Sequence, residues 1–325
     1  MNKAITIILL GLVLLLPACI PQATASDATP AQVPSEVETL KIAVLPIIDM
    51  LPMYVAEQEG LFAKYGVGVE FIPVASAPER DQLISAGGAD GAVNETLAVM
   101  LFNREDIQMQ VVRYALRPTQ GNGHFFILAS AQSGISSIDD LKDVEIGVSQ
   151  GTIIEYATER LLQAEGLAPG DIKTVAVPKI PDRMALLASG ELKAGVMPDP
   201  LAALAVSQGG VIITDDSNFP QYGFSVISFR KDVIDANPQA IQGFLAAIEE
   251  ATDLINAEPA KYKNVLSEQK LVPPPLLETY RAPVFPAAGV PALEEWKDAL
   301  SWLKEKGILT KDVSYEESVN NSFLP

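Results

Sequence analysis

Cysteine and histidine are almost absent from this 325-residue chain, which contains one of each, Cys19 and His124. A single cysteine excludes a disulfide within a monomer. One histidine without a second soft ligand leaves nothing for a zinc or copper site, so we expect no metal and no other cofactor. The chain also lacks a Gly-x-Ser-x-Gly nucleophile motif and a Walker glycine–lysine motif, which argues against a hydrolase and an ATPase.

Positive charge is also scarce. The chain has 23 Lys and Arg against 41 Asp and Glu, a formal net charge of −18. Removing residues 1–18 deletes one lysine, so the remaining chain carries 22 − 41 = −19. Such an acidic surface would repel a phosphate backbone, and we expect no nucleic acid among the partners.

No apolar run near the N-terminus is long enough to span a membrane. The stretch at residues 5–16 follows Lys3 and has the layout of a secretory signal. It leads into Leu16-Pro17-Ala18-Cys19, which resembles the lipobox of bacterial lipoproteins, where the cysteine is lipidated and becomes the new N-terminus. We therefore predict a lipoprotein signal peptide over 1–18, with palmitate among the acyl groups at Cys19. The alternative is an ordinary signal peptide with a chance cysteine.

Residues 19–39 are rich in Ala, Pro, Thr, Ser and Gln and show no apolar periodicity. Such a segment cannot bury enough surface to fold, and we predict a flexible tether. A flexible chain of roughly 20 residues has an end-to-end distance of about 25 Å. The expected location is the extracytoplasmic side of the cell membrane, with the membrane contacted through the lipid anchor.

Strand-like and helix-like patterns alternate from residue 40 onward. An apolar run at 40–46 precedes a helical pattern at 53–65, and strand 69–74 precedes helix 78–86 and a short strand at 91–93. This alternation predicts an α/β fold with a parallel sheet flanked by helices.

The same order recurs about 104 residues later. Its sharpest match aligns Pro78-Glu79-Arg80-Asp81-Gln82-Leu83-Ile84 with Pro181-Asp182-Arg183-Met184-Ala185-Leu186-Leu187. Both segments continue to a short strand, Gly91-Ala92-Val93 or Ala194-Gly195-Val196. Coincidence between two ordinary βα units is the alternative, since such units share glycines and prolines. Two similar lobes predict a cleft at the carboxyl ends of their strands.

Two further strand-like runs, at 111–116 and 225–229, stand where the chain must pass between the lobes. We interpret them as the two segments of a hinge. Lobe 1 then comprises residues 40–115 and 225–325, and lobe 2 comprises residues 116–224. Helical patterns at 238–257 and 292–306 are expected to pack on lobe 1.

Several segments of the chain resemble a known family. They are Lys41-Ile42-Ala43-Val44, Tyr54-Val55-Ala56-Glu57-Gln58-Glu59-Gly60-Leu61-Phe62, Asp139-Asp140-Leu141-Lys142, Ile146-Gly147-Val148 and Gly151-Thr152. They look like ABC-transporter solute-binding proteins of the nitrate, taurine and sulfonate group, which includes binders of thiamin-precursor pyrimidines. The resemblance implies a periplasmic-binding-protein-like type II fold that closes on a small-molecule solute. The implied partners are an ABC permease and its ATPase, and the chain is expected to be a monomer.

Two other function classes stay open beside this resemblance. One is an enzyme on the same fold, related to thiamin-pyrimidine synthases, which use a histidine and a cysteine-rich iron motif. No cysteine is present beyond Cys19, so we expect no enzyme activity. The other is a sensing or adhesive lipoprotein without a transporter.

The loops at the strand ends supply the candidate ligand-binding residues, which share polar character or a place at the predicted cleft: Asp49, Met50, Ser76, Asn94, Glu95, Thr96, Gln150, Gly151, Thr152, Asp199 and Tyr222. Gly151 and Thr152 open a helix whose amides could receive an anion, or Thr152 could simply cap that helix. Likewise, Glu95 and Asp199 either face the ligand or favour the positive ends of the helices that follow.

Three of these candidates, Asp49, Glu95 and Asp199, are acidic. Arg80 and Arg183 occupy matching helix positions and are interpreted as structural, each paired with nearby acids. If all three acids face the cleft, it is short of positive charge, because the nearest basic residues in chain order are Arg113, Arg117 and Arg183. Such a cleft favours a neutral or cationic heterocycle such as a pyrimidine or vitamin precursor. A small anion, such as an aliphatic sulfonate or nitrate, is the alternative. We interpret His124, in a glycine-rich turn, as a surface or satisfied residue and not as a catalytic one.

Overall fold

The computed structural model describes residues 39–325. The predicted signal peptide, Cys19 and the predicted tether up to residue 38 lie outside the described residues. Between residues 39 and 325, no helix combines the length and the apolar character needed to cross a bilayer.

Ten strands form two five-stranded sheets. The first sheet has the order β2-β1-β3-β10-β4 and contains β1 (Thr39–Val44), β2 (Gly68–Pro73), β3 (Gly91–Asn94), β4 (Met109–Leu116) and β10 (Ser225–Arg230). The second sheet has the order β7-β6-β8-β5-β9 and contains β5 (Phe125–Ala129), β6 (Glu145–Val148), β7 (Lys173–Ala176), β8 (Ala194–Pro198) and β9 (Val211–Asp215).

Both sheets are mixed. Strand β1 runs parallel to β2 and β3, and β6 runs parallel to β7 and β8. Strand β10 is antiparallel to β3 and β4, and β5 is antiparallel to β8 and β9. The parallel pairing predicted from the alternating strands and helices is therefore present in β1–β3 and in β6–β8. Strands β5 and β10 differ because each enters its sheet directly from the other sheet, without a crossover helix that would align it with its neighbours.

Helices flank both sheets. They are α1 (Leu51–Gln58), α2 (Leu61–Lys64), α3 (Ala77–Ser85), α4 (Thr96–Phe102), α5 (Ile153–Ala164), α6 (Ile180–Ser189), α7 (Leu201–Ser207), α8 (Lys231–Ala236), α9 (Pro238–Ala257), α10 (Lys263–Glu268), α11 (Leu293–Glu305) and α12 (Tyr315–Ser318). The helical pattern at 53–65 is split because Gly60 adopts a left-handed conformation, with φ 69°, between α1 and α2. Glycine enters this region at little steric cost.

The internal repeat is visible in the topology. The order β1-α1-β2-α3-β3 is matched by β6-α5-β7-α6-β8, and the central strand of each trio is the first in sequence. The register also repeats, since Ile42 pairs with Gly91 in the first sheet and Ile146 pairs with Ala194 in the second. The strand ends of the two trios are therefore equivalent places in the fold.

The two long helices near the C-terminus, α9 and α11, pack against helices of the first half of the chain. Helix α9 packs on α1 and α2, and its Phe244 stacks on Phe62 at 5.4 Å between ring centroids. Helix α11 packs on α4, as expected for lobe 1, but it also contacts α5 of the second half. There the Tyr156 hydroxyl donates to Asp298 at 2.6 Å. Helix α11 therefore packs on lobe 1 as expected and also contacts the second half.

Candidate functional site

A cavity of about 60 Å³ lies where strand ends of the two sheets meet. The first sheet and its helices contribute the end of β3 and the start of α3, and the second contributes the starts of β5, α5 and α6. Polar residues from both halves line it, namely Asp49, Arg80, Asn94, Glu95, His124, Ser149, Thr152, Arg183 and Ser225. Apolar side chains such as Ile47, Phe125 and Ile180 complete the wall.

Four of the eleven predicted binding residues line this cavity: Asp49, Asn94, Glu95 and Thr152. The other seven are absent from the lining, and most have other partners. Met50 belongs to the hydrophobic core, Ser76 caps α3, and Thr96 is the buried first residue of α4. Gln150 is exposed and contacts Thr174, Asp199 accepts a bond from Tyr280, and Tyr222 packs on Tyr156. Gly151 is described below with its helix.

The first half of the site contains a buried ion pair. Arg80 donates from Nη1 to Glu95 at 2.9 Å and from Nη2 at 3.2 Å, and it also donates to the Val93 carbonyl. Burial raises the pKa of the Glu95 carboxyl, and the Arg80 charge opposes this effect. The side chain of Glu95 does not cap α4. Its partner is Arg80, which the sequence analysis had interpreted as structural.

The second half contains the equivalent arginine without the ion pair. Arg183 donates to the carbonyls of Val196 and Val177, each at 2.6 Å. Among residues 39–325 it pairs with no carboxylate, and burial lowers its pKa to about 10. The expectation that both arginines pair with acids is therefore wrong for Arg183. The reason is that Asp199, which occupies the loop equivalent to that of Glu95, accepts a hydrogen bond from Tyr280 at 2.5 Å instead.

His124 is buried at the junction of the two halves. Its Nδ1 lies 2.6 Å from the Gly223 carbonyl and its Nε2 lies 3.1 Å from Asp49, so both ring nitrogens face acceptors. Burial opposes the charged form, but Asp49, Asp216 and the Gly223 carbonyl together outweigh burial and raise the pKa of His124 to about 9. Ser225 donates a second bond to Asp49 at 2.5 Å, and the pKa of Asp49 is lowered because these partners outweigh burial.

The charges that line the cavity do not sum to the acidic site predicted from the sequence. Arg80, Arg183 and protonated His124 contribute three positive charges, and Asp49 and Glu95 contribute two negative ones, which leaves +1. The sequence analysis missed all three cations as site residues. One signal was available, because Arg80 and Arg183 repeat at matching positions.

Backbone amides at the start of α5 already have hydrogen-bond acceptors within the protein. Thr152 caps the helix by accepting the Ile154 amide at 3.2 Å, and the Gly151 amide donates to Glu155 at 2.8 Å. The Ile153 amide favours the charged form of Glu95 across the cavity. Of the two alternatives for Gly151 and Thr152, the structure shows the helix cap.

Two polar side chains of the lining have no partner. Both amide atoms of Asn94, and the hydroxyl of Ser149, are buried without a hydrogen bond among the described residues. Buried polar groups are nearly always bonded in folded proteins. Asn94 and Ser149 thus leave hydrogen-bonding capacity unused, and Arg183 leaves its charge without a carboxylate partner, among the described residues.

Comparisons with known proteins agree with this architecture. A sequence model of the NMT1-like family matches residues 33–267. A nitrate/nitrite-binding protein of Nostoc sp. is 28% identical over 258 residues, which cover 72% of this chain and 57% of that protein. The chain thus spans little more than half of that relative's length.

Two further comparisons bear on ligand and fold. A bicarbonate-binding protein of Synechococcus elongatus is 36% identical over 98 residues, which cover 27% of this chain and 21% of that protein. The solved structure of an alkanesulfonate-binding protein from Xanthomonas axonopodis, bound to MOPS, superposes with a TM-score of 0.74 at 17% identity. That superposition covers 87% of this chain and 98% of the other. It establishes the periplasmic-binding-protein fold with its two α/β lobes.

Proposed function

Because this chain belongs to the NMT1-like family, we propose that it is a solute-binding protein that captures a small oxyanion and delivers it to an ABC importer. The observation that carries the ligand class is Arg183, whose buried guanidinium lines the cavity without a carboxylate partner. An unpaired buried charge is strongly unfavourable. A bound anion would supply the missing partner.

The size of the cavity supports the same class. Its volume is about 60 Å³, and one water requires roughly 10–15 Å³ by this measure. The space therefore suits about four waters, or a planar ion with four non-hydrogen atoms. A pyrimidine has more ring atoms than this before any substituent is added.

The net charge of the lining also favours an anion over a cationic heterocycle. The similarity to a nitrate/nitrite-binding protein and to a bicarbonate-binding protein supports the same ligand class. A heterocycle such as a pyrimidine is our second candidate. It ranks second because it was favoured by an acidic cleft, whereas the three acids concerned are partnered by Arg80, His124 and Tyr280.

We place the lobes as residues 40–115 with 225–325, and residues 116–224. Strands β4 and β10 pair side by side in the first sheet, so the two hinge segments would lie where the chain leaves β4 and where it enters β10. A ligand that contacts Arg183 in one lobe and Asn94 in the other would favour the closed state, because it binds only when both lobes surround it. The protein would then act by hinge closure and not as an enzyme.

The proposal includes the location and the partners. A signal peptide over 1–18 would direct export, and a lipid on Cys19 would hold the protein on the extracytoplasmic side of the membrane. The tether would keep the binding lobes near a permease, which is driven by a separate ATPase. A monomer is sufficient for this task.

The test is isothermal titration of the purified protein with nitrate, bicarbonate, methanesulfonate and a pyrimidine. We expect an oxyanion to bind, and Arg183→Met to weaken binding about 10- to 100-fold, the effect of one charged hydrogen bond. Arg113→Met is the matched control, because Arg113 is equally buried but pairs with Glu249 and does not line the cavity. Its binding should stay within about threefold of wild type. Binding of the pyrimidine without any oxyanion would overturn the proposed ligand class.

A further inference from the structure

Asn94 is the last residue of β3 and is held firmly by the sheet. Its backbone is in register with Val226 of β10, and its side chain lines the cavity. The residue is 1% exposed, yet neither Oδ1 nor Nδ2 has a hydrogen-bond partner in the described part of the chain. Among the lining residues only the Ser149 hydroxyl shares this lack of a partner in the described part of the chain, and Asn94 leaves two atoms unpartnered where Ser149 leaves one.

An amide presents an acceptor oxygen and a donor nitrogen. Both polar atoms of the Asn94 amide, Oδ1 and Nδ2, are unpartnered. The amide therefore needs one donor and one acceptor from its surroundings, whichever way it is turned. A molecule that satisfies it must offer both a donor and an acceptor. A nitrate ion has only acceptor oxygens, whereas a bicarbonate ion has the same planar shape and charge and adds one O–H donor.

Two other groups define where the charge of such a ligand would lie. Arg183 can only donate, and the unpartnered hydroxyl of Ser149 can donate as well. Both therefore suit the deprotonated oxygens of an anion. Asn94 lies in the first half of the chain and these donors lie in the second, so one small ligand would join the two halves.

We propose that Asn94 selects a protonated planar oxyanion of the bicarbonate type, with its Oδ1 accepting the ligand O–H and its Nδ2 donating to a ligand oxygen. Ser149 and Arg183 bind the remaining oxygens. This inference rests on the proposed function, because it assigns the substrate class within the same anion site. A site built around a ligand hydroxyl discriminates strongly against analogues that lack it, since its own polar atoms are then left unpaired.

The test is a titration of wild type with bicarbonate and with nitrate near pH 8. We expect bicarbonate to bind at least about tenfold more tightly, the effect of one hydrogen bond to a charged ligand. Asn94→Leu should reduce the preference for bicarbonate over nitrate to less than about threefold, because the acceptor for the ligand O–H is lost. Thr252→Val is the matched control, because Thr252 also has a buried unpartnered hydroxyl but does not line the cavity. It should leave both affinities unchanged.

The outcomes separate this inference from the proposed function. Nitrate binding as tightly as bicarbonate would overturn the role of Asn94 while leaving the oxyanion site intact. An unchanged bicarbonate preference in a folded Asn94→Leu protein would do the same. Failure of every oxyanion to bind would overturn both. The comparison of the two ions in wild type needs no variant, so it decides the matter even if Asn94→Leu does not fold.

Discussion

The contact between His124 and Asp49 predicts a pronounced loss of stability in mildly alkaline solution. The imidazole is fully buried between the Asp49 carboxylate and the Gly223 carbonyl, and two acceptors require two N–H donors. Only the protonated ring satisfies both. Asp216 also faces this group, because its carboxylate accepts the backbone amides of His124 and Phe125.

The magnitude follows from the pKa of His124, raised from 6.5 to about 9. At 1.36 kcal/mol per pH unit this corresponds to about 3 kcal/mol of stability in total. The folded protein binds the proton more tightly than the unfolded chain does. The contribution is therefore complete below pH 6.5 and disappears as pH rises through about 9. About 2 kcal/mol of the loss falls between pH 7.5 and 9.5.

Two other buried groups titrate outside that window. Burial raises the pKa of Asp216 to about 7, so its own loss of stability with rising pH is nearly complete by pH 7.5. Burial lowers the pKa of Arg183 to about 10, so its proton is lost in the folded state mainly above pH 9.5. That change acts in the opposite direction, since the unfolded chain then holds more protons.

The measurement is urea unfolding at pH 7.5, 8.5 and 9.5. Wild type should lose about 2 kcal/mol across this range, or about 4–8 °C in Tm. His124→Gln should be less stable at pH 7.5 and show a nearly flat profile, whereas Thr252→Val should keep the wild-type slope. Because the chain has a single histidine, its NMR titration can be assigned directly. An imidazole that titrates near pH 6.5, or a His124→Gln protein with the full slope, would refute this reasoning.

Three further predictions concern stability and are measured by urea unfolding at pH 7. Arg80→Met leaves Glu95 buried without its ion pair and should destabilise the fold by about 3–5 kcal/mol. Adding Glu95→Gln should recover much of that loss, and no recovery would contradict the ion-pair explanation. Gly151→Ala should lose about 1–2 kcal/mol through its positive φ alone, because no atom lies within 4 Å of the added Cβ; an unchanged stability would count against this backbone geometry. Tyr280→Phe removes the donor to Asp199 and should lose about 1–3 kcal/mol, and a neutral effect would show that water replaces the hydroxyl.

Local patterns in the sequence were sufficient to predict most helices and strands. Helix α9 spans Pro238–Ala257, the predicted range, because its proline start and its apolar spacing are both local signals. Strands β5 and β9 were not predicted. Strand β9 has exposed apolar residues in place of a clear alternation. Strand β5 is a short continuous apolar run, Phe125–Ala129, whose periodicity alone does not separate a buried strand from a buried helical segment. The antiparallel direction of β5 and β10 was not predicted, because it depends on which sheet the chain has just left.

The repeat in the sequence determined that Arg80 and Arg183, like Glu95 and Asp199, occupy equivalent places. The arginines keep this equivalence, since each donates to the carbonyl of the matching strand residue, Val93 or Val196. Only the tertiary structure decided that the acids differ.

Glu95 meets Arg80, whereas Asp199 is held by Tyr280, a residue 81 positions further along the chain. A contact over that distance is set by packing and not by local pattern, and it holds Asp199 while Arg183 donates only to backbone carbonyls among the described residues.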